Sequence, residues 1–435
     1  MSLAILAIIL FVSIFLLVLY GYPVAFTLGG LSLLYAFCFL ETTALTLLPN
    51  RVMGVMDNSV LLAVPLFVFM GIMLEKSGLA ERMLHTMSEF FGRVRGGMAV
   101  SVIIVGALLA ASTGIVGATV ITMGLISLPP MLKKGYPPTI STGVIAASGT
   151  LGQIIPPSVV LVLLGSVLGV SVGKLFHAAL IPSMLLVGAY VTYILILGLV
   201  KPNLFPRGNE EATTWNKAFF IDLISSLVLP LSLIIAVLGS ILWGIASPTE
   251  AAAIGAAGAM LLTFLQGKLR WATVKDVCRD TTHLTSMVFM ILLGATTFSL
   301  VFRELGGDRF LLQLIEGGDL SEYQFLALVM VVVFIAGFFI DFIEIVFIIV
   351  PVVTPIFIGY GTDLIWLGIL LGINLQTSFL SPPFGFALFY LKGVAPPEVK
   401  TIHLYKGIIP FLIIQVLLLI LVVAFPELLG IVGSK

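Results

Sequence analysis

Long uncharged stretches follow one another along almost the whole chain, separated by short connections that carry charges and turn residues. Most of these apolar segments have the ~20 residues that a membrane-spanning helix needs. Their approximate bounds are 3–20, 22–40, 59–74, 96–132, 135–173, 175–200, 223–246, 250–267, 281–302, 323–358, 364–391 and 407–426. The pattern predicts an all-α polytopic membrane protein.

Four of the segments are too long for one span, and two of them point to a turn inside the membrane. As a single helix, residues 96–132 or 323–358 would measure roughly 50 Å at ~1.5 Å per residue, against a hydrocarbon core of ~30 Å. The first has small and hydroxylated residues in its middle, at 111–119, and the second has GFFIDFIE in the equivalent place, at 337–344. Because such turns need protein or water around them, both segments are predicted to be re-entrant helical hairpins.

The segment that follows each hairpin contains two adjacent prolines. Proline lacks the backbone N–H and interrupts a helix. Residues 135–173, with Pro156 and its neighbour, and residues 364–391, with Pro382 and its neighbour, are therefore predicted to be broken helices.

The spacing of these motifs indicates an internal repeat. Pro156 and Pro382 are 226 residues apart, and Gly135 and Gly361 have the same spacing. Each half contains three spans, a hairpin, a broken helix and a final span, in that order. The predicted units are a first repeat at 1–200, a cytoplasmic or interfacial connector at 201–222, and a second repeat at 223–435.

Basic residues predict how the two repeats are oriented. The approach to the first hairpin and its exit carry several bases, which favour the cytoplasmic side: Lys76, Arg82, Arg93, Arg95, Lys133 and Lys134. The approach to the second hairpin, residues 303–322, has more acids than bases, and its exit has no base. The second hairpin is therefore predicted to open to the outside, so the repeats are inverted, as in secondary transporters.

Composition excludes several classes of function. Hydrophobic residues make up 60% of the chain, charged residues 10%, and the mean hydropathy is +1.22. A net charge of +0 without a basic block argues against nucleic-acid binding. Cys38 and Cys278 form no paired motif, and the four histidines are scattered. We therefore expect neither an enzyme nor a transition-metal site, and no bound cofactor.

The two breaks are where ion chemistry is expected. A proline leaves the carbonyl four residues earlier without its helical partner, which would free the carbonyls of Gly152, Gln153, Ser378 and Phe379. In hydrocarbon each such group costs several kcal/mol unless something binds it, and a dehydrated Na⁺ is a suitable partner. Hydroxyl groups crowd the same places: Ser148, Thr150, Ser158, Thr377, Ser378 and Ser381, with Ser112 and Thr113 at the first hairpin tip.

The competing interpretation is a pair of proline kinks that Ser and Thr side chains and neighbouring helices stabilise. Two such kinks, each after a re-entrant hairpin and related by an inverted repeat, favour the ion-binding interpretation. Asp341 and Glu344 are the only acids in 323–362 and lie on one helix face. Acids at membrane depth indicate an ion or proton path, although they also serve as buried hydrogen-bonding groups.

Several motifs together resemble one family. They are GYPVAFTLGG (21–30), GVIAASGTLGQIIPPS (143–158), ASPTEAAA (246–253) and LGINLQTSFLSPPFGFALF (371–389). They resemble the large membrane subunit of tripartite ATP-independent periplasmic (TRAP) transporters, the DctM-like family. The resemblance implies a sodium-driven importer of organic anions, carboxylates or sulfonates, in the bacterial inner membrane. It also implies an elevator movement and two partners, a small four-helix membrane subunit and a periplasmic substrate-binding protein.

The resemblance also implies where ions and substrate bind. The first sodium site would involve Ser112, Thr113, Gly152, Ile155 and Pro157. The second would involve Gly337, Asp341, Ser378 and Ser381. The substrate would lie between the two hairpin tips, in the vicinity of Ser148, Thr150, Asn374, Thr377 and Glu344. Ser378 and Ser381 stand where Gly and Thr are commoner in the family, so the second ion site is expected to differ in detail.

Two other functions remain open from the sequence. One is a stand-alone sodium/anion symporter of related architecture that needs no binding protein. The other is a channel or proton-conducting membrane component with Asp341 and Glu344 in its pore.

Overall fold

A computed structural model describes residues 3–40, 45–206, 217–310, 313 and 320–430. Within these ranges the chain forms helices and turns and no β-strand. The helices before the connector are α1 Leu3–Leu19, α2 Val24–Phe39, α3 Leu48–Met56, α4 Ala63–Lys76, α5 Leu79–Phe90, α6 Gly97–Thr113, α7 Val116–Lys133, α8 Pro138–Thr150, α9 Val159–Leu168 and α10 Val172–Val200.

The helices after the connector are α11 Lys217–Leu223, α12 Leu229–Leu242, α13 Pro248–Leu265, α14 Trp271–Glu304, α15 Glu322–Ala336, α16 Phe342–Ile348, α17 Val350–Tyr360, α18 Leu364–Leu380, α19 Phe386–Val394 and α20 Thr401–Ala424. A π-helical stretch, Ile224–Val228, joins α11 to α12. Seven helices in the described part of the chain are long and apolar enough to cross a membrane, and the bent pair α16 and α17 makes an eighth candidate. The predicted all-α polytopic membrane fold is confirmed.

Both long segments form helix pairs. In hairpin 1, α6 and α7 are joined by Gly114, whose φ of 62° is the left-handed conformation that favours glycine, and by Ile115. In hairpin 2, α15 is followed by a longer connection at 337–341 and then by α16 and α17, which are bent by 52° relative to each other. The predicted hairpin bounds agree with these helices to within two residues.

Both double prolines lie in helix breaks. Broken helix 1 consists of α8, a 3-10 turn at Leu151–Gln153, a non-helical stretch and α9. Broken helix 2 consists of α18, a break at 381–385 and α19. Both proline–proline bonds are cis. Pro138 and Leu364, which begin the two broken helices, are again 226 residues apart.

The hairpins and broken helices interlock. Hairpin 1 packs on α8 and the turn after it, and α7 also packs on α19 of broken helix 2. Hairpin 2 packs on α18, and α16 and α17 also pack on α9 of broken helix 1. Each hairpin therefore contacts its own broken helix and the far half of the other one. We call this unit, α6–α9 with α15–α19, the hairpin body.

The remaining helices surround the hairpin body. Helices α10 and α20 occupy equivalent places in the two halves, and the buried Gln415 side chain donates a hydrogen bond of 2.6 Å to the Tyr190 hydroxyl between them. Helix α14 packs against α4, with Lys76 and Asp280 paired at 2.5 Å at one end. That end is the one which the basic residues predict to be cytoplasmic.

The connector and the repeat boundaries stay predictions. Residues 207–216 lie outside the described part of the chain, and α11 begins at Lys217, within the predicted connector. Helices α3 and α5, between the predicted spans, have no counterpart among the predicted segments. Their amphipathic sequences lack the long apolar run by which a span is recognised.

Candidate functional site

The tip of hairpin 1 lies directly against the break in broken helix 1, and we call this contact the first junction. A Cβ atom on Gly152 would lie 2.4 Å from the backbone oxygen of Ala110, and a Cβ on Gly114 would lie 3.1 Å from the Val159 nitrogen. The two backbones therefore touch only because these positions are glycine. Ser112 and Thr113 sit at the same tip and are 4% and 3% exposed.

The hydroxyls of the first junction are oriented by nearby acceptors. Ser112 Oγ donates to the Leu109 carbonyl at 2.7 Å, and the hydroxyls of Thr113 and Thr119 are 2.7 Å apart. A donating hydroxyl oxygen keeps lone pairs that can face a cation. Ile155 and Pro157 lie in the same buried break. The structure thus brings the tip residues and Gly152 together and places the other two predicted residues in the adjoining break.

Two of the four carbonyls predicted to be free are hydrogen-bonded. The Gln153 carbonyl accepts a bond of 2.7 Å from Ser158 Oγ, and the Ser378 carbonyl accepts one of 3.1 Å from the Ser381 N–H. The prediction that these two carbonyls are unpaired is wrong. The Ser158 hydroxyl, just after the first proline pair, and the Ser381 N–H, just before the second, replace the missing helical donors.

The second junction is the contact between the tip of hairpin 2 and the break in broken helix 2. A Cβ on Gly337 would lie 2.1 Å from Ser378 Oγ, so the tip and the broken helix touch here as well. Ser378 Oγ donates to the Leu375 carbonyl at 2.8 Å, and Ser381 Oγ donates to the Thr377 carbonyl at 2.9 Å. Three of the four residues predicted for the second sodium site therefore lie at this junction.

Asp341, the fourth residue, is the N-cap of α16. Its carboxylate accepts a bond of 2.7 Å from the Phe342 N–H, and the Glu344 carboxylate accepts one of 3.2 Å from the Asp341 N–H. This reciprocal arrangement is a capping box, which satisfies the free N–H groups at a helix start. Both acids therefore stabilise the start of α16 at the tip of hairpin 2.

Four of the five residues predicted near the substrate are buried and hydrogen-bonded, and the fifth, Glu344, is half-buried. Ser148 and Thr150 donate to carbonyls of their own helix at 3.1 and 3.0 Å, and Thr377 does the same at 2.8 Å. A Cβ on Gly106 would lie 2.6 Å from Ser148, so α6 covers this serine closely. Asn374 Nδ2 donates to the Met330 carbonyl at 2.8 Å and links α18 to hairpin 2.

Two glutamines in the broken helices are not among the predicted site residues. Gln153 and Gln376 are both 0% exposed, and neither carboxamide has a hydrogen-bond partner among the described residues. An unpaired buried amide costs about 1–3 kcal/mol, so these groups are candidates for contact with a ligand or an ion. The signal was available, since both lie in quoted motifs, at LGQIIPPS and NLQTSFLS.

Comparison with known proteins gives one consistent result. The family described as "Tripartite ATP-independent periplasmic transporter, DctM component" matches residues 11–428. A putative TRAP transporter large permease protein of Haemophilus influenzae is 31% identical over 405 residues, 92% of this chain and 97% of the relative. The C4-dicarboxylate TRAP transporter large permease protein DctM of Pseudomonas aeruginosa is 32% identical over 375 residues, 85% of each chain.

Among solved structures, the YdaH transporter of Alcanivorax borkumensis aligns with a TM-score of 0.60 at 16% identity, over 97% of this chain and 99% of that one. The likeness shows a shared fold. The relatives matched along the sequence are permease subunits of transporters and not enzymes. The multiple membrane-spanning helices accord with a place in the bacterial inner membrane. The match over residues 11–428 shows that this chain belongs to the DctM family, the large permease component of TRAP transporters.

Proposed function

We propose that this chain is the substrate-translocating subunit of a sodium-coupled importer that moves a small organic anion, a carboxylate or a sulfonate, by an elevator movement. The observation that carries the proposal is the pair of junctions at which a hairpin tip abuts a helix break. Such interrupted helices place backbone carbonyls and helix ends at one buried point, as the ion and substrate sites of secondary transporters require.

Sodium coupling is supported most strongly at the first junction. Na⁺ is a hard cation that prefers oxygen ligands, and this junction offers hydroxyl and carbonyl oxygens from both the tip and the break. Ser112 and Thr113 supply hydroxyls, and Gly152, Ile155 and Pro157 supply backbone carbonyls. We propose a second ion at the second junction, near Gly337, Asp341, Ser378 and Ser381.

An elevator movement is supported by the way the hairpin body is packed. Each hairpin contacts both broken helices, so the four elements are held together as one unit. Movement of the whole unit against the surrounding helices would carry both junctions and the substrate between them, without breaking the contacts that form the sites.

An organic anion is supported by the Pseudomonas aeruginosa relative, whose name gives a C4-dicarboxylate, although the residues at the junctions include no Lys or Arg. The negative charge would then be balanced by helix N-termini, hydroxyls and bound Na⁺. We propose that a small four-helix membrane subunit and a periplasmic binding protein complete the importer, as the tripartite family description implies.

Uptake into proteoliposomes tests the proposal. The chain is reconstituted with the small subunit, and the cognate periplasmic protein is added outside together with radiolabelled succinate or isethionate. We expect uptake that requires both an inward Na⁺ gradient and the binding protein. Sodium-driven uptake without the binding protein would instead show a stand-alone symporter, and anion or proton current without coupling to Na⁺ would show a channel.

A further inference from the structure

A cavity separate from both junctions lies at the opposite end of α4 and α14 from the Lys76–Asp280 pair. Its volume is about 510 Å³, within the ~300–1,000 Å³ range of small-molecule sites. Its lining includes Arg51 of α3 and Arg303 of α14, from the surrounding helices, and Ser166 of α9 and Phe347 of α16, from the hairpin body. The cavity therefore lies between the hairpin body and the helices around it.

The lining is cationic and rich in hydrogen-bonding groups. Of the lining residues that the structure describes, Arg51 and Arg303 are the charged ones, and none has an acidic side chain. The amide and hydroxyl groups that accompany them belong to Asn50, Asn58, Ser166, Thr296 and Ser299. Asn58 Nδ2 donates to Ser166 Oγ at 3.1 Å, which fixes these two side chains across the cavity wall. Two positive charges and several donors around one space are the complement of a small anion.

The two arginines are available for a ligand. Arg303 Nε lies 3.4 Å from an Asp308 oxygen, a contact that leaves the terminal guanidinium nitrogens for other acceptors. Among the residues that the structure describes, no acid pairs with Arg51. Both arginines are exposed, so an ion arriving from water can reach them.

The position of the cavity suggests the direction from which its ligand comes. The Lys76–Asp280 end of α4 and α14 is the end that the basic residues predict to be cytoplasmic, and the cavity lies at the other end of both helices. Substrate enters an importer from that external side.

We propose that this cavity is the external receiving site for the organic anion, where Arg51 and Arg303 bind its carboxylate or sulfonate group before it reaches the junctions. This inference rests on the proposed function and adds the site at which substrate charge is first recognised. The arginines belong to the surrounding helices and Ser166 belongs to the hairpin body, so a bound anion touches both sides of the boundary across which the body would move.

Thiol-labelling rates measure the charge of the cavity without knowledge of the substrate. In a background with Cys38→Ser and Cys278→Ser, Ser299→Cys is placed in the cavity wall, and the chain is reconstituted with its small subunit. The labelling rates of an anionic sulfonate reagent and a cationic ammonium reagent of similar size are compared.

We expect the anionic reagent to react faster than the cationic one. The double variant Arg51→Gln/Arg303→Gln should lower the ratio of the anionic to the cationic rate about tenfold. Arg309→Gln, an exposed arginine outside the cavity lining, should change the ratio less than about twofold.

Uptake measurements separate this inference from the proposed function. In the Arg51→Gln/Arg303→Gln variant we expect the KM for radiolabelled succinate or isethionate, whichever the unaltered protein takes up, to rise about tenfold, while the Na⁺ concentration for half-maximal uptake stays unchanged. An unchanged labelling ratio, or sodium-driven uptake with an unchanged KM, would overturn the receiving site and leave the proposed function intact. A lowered labelling ratio in a protein whose uptake ignores Na⁺ would refute the sodium coupling and support an anion-binding cavity.

Discussion

The two junctions have the same backbone plan and different side chains. With the spacing of 226 residues, Ser112 and Thr113 of the first tip correspond to Phe338 and Phe339 of the second. In the breaks, Gln153 corresponds to Phe379 and Ser158 to Phe384. Four polar positions of the first junction are therefore phenylalanines in the second.

The two breaks also differ in their exposure, and the second is the more exposed. Every residue of the first break is buried, and Ser158 is 0% exposed, whereas Phe384 in the second break is 59% exposed. In the second junction the Phe339 and Phe384 rings lie 5.5 Å apart, so an aromatic contact joins the tip to the break. The comparison teaches that the double proline sets the backbone geometry, while the neighbouring side chains decide how many oxygen ligands the junction offers.

One close contact in each junction involves a glycine, but on opposite sides. In the first junction it is Gly152 on the broken helix, opposite Ala110. In the second it is Gly337 on the hairpin, opposite Ser378. Gly337 corresponds to Ala111 and Ser378 to Gly152, so the glycine and the larger residue are exchanged between the two contacts. The close contact can therefore be tested by a substitution on the broken helix in the first junction and on the hairpin in the second.

Gly152→Val should abolish uptake. Its side chain would meet the Ala110 backbone oxygen, which lies 2.4 Å from the position of a Cβ and cannot move aside without shifting α6. Gly188→Val is the matched control, because Gly188 on α10 has no atom within 4 Å of that position. Initial uptake rates of the two variants, compared at equal protein in the membrane, check this. Normal uptake by Gly152→Val would show that the first tip and break separate freely.

Asp341→Asn should abolish sodium-coupled uptake while the protein stays folded. Asparagine caps a helix about as well as aspartate, so the N-cap of α16 survives and only the charge is lost. The acid has no counterpart in the first tip, where Ile115 occupies the equivalent position. Uptake and thermal denaturation of the purified complex are measured together. Undiminished coupled uptake would assign Asp341 to the helix cap alone.

Gly337→Ala should lower uptake at least roughly tenfold, because the new Cβ would lie 2.1 Å from Ser378 Oγ and the strain of such overpacking is about 1–3 kcal/mol. Adding Ser378→Gly removes the clash and recreates the arrangement of the first junction, with the glycine on the broken helix. We expect the double variant to recover part of the uptake and to need a higher Na⁺ concentration, because the Ser378 hydroxyl proposed near the second ion is lost. Failure to recover would mean that Gly337 is needed for a reason other than this contact.

Gln153→Leu should have the smallest effect, a rise of about 1 kcal/mol in the free energy of unfolding without Na⁺, because an unpaired buried amide is replaced by an apolar group. The second junction already has an apolar residue, Phe379, at this position. Gln415→Leu is the opposite control, since Gln415 Nε2 donates to Tyr190 and its loss leaves a buried hydroxyl unpaired. A lower melting temperature for Gln153→Leu would contradict the prediction.

The positions of the hairpins and broken helices could be predicted because their causes are local. An apolar run longer than one span must turn, and a proline pair must interrupt a helix, wherever it lies. The sequence predicts hairpin 1 at 96–132, and it spans Gly97–Lys133 in the structure. The sequence predicts broken helix 2 at 364–391, and it spans Leu364–Val394.

The details of the junctions could not be predicted, since they depend on packing between distant parts of the chain. No sequence pattern indicates that Asn374 donates to the Met330 carbonyl, or that the Gln153 carbonyl accepts a bond from the Ser158 hydroxyl. The cavity between α3 and the hairpin body could not be predicted either, because Arg51 and Arg303 are far apart in sequence and line the same cavity only in the folded protein. The assignment of sodium ligands stays a prediction.

Binding of radioactive sodium to the purified large–small subunit complex tests the central claim most directly. We compare the unaltered protein with Ser112→Ala/Thr113→Val at the first tip and with Phe338→Ala/Phe339→Ala at the equivalent positions of the second. The first pair should weaken Na⁺ binding about tenfold or more. A contact between a polar group and a charged group contributes ~1.5–3 kcal/mol, and the variant loses such contacts. The second pair should change it less than about twofold. Equal affinities in all three proteins would contradict sodium binding at the first junction.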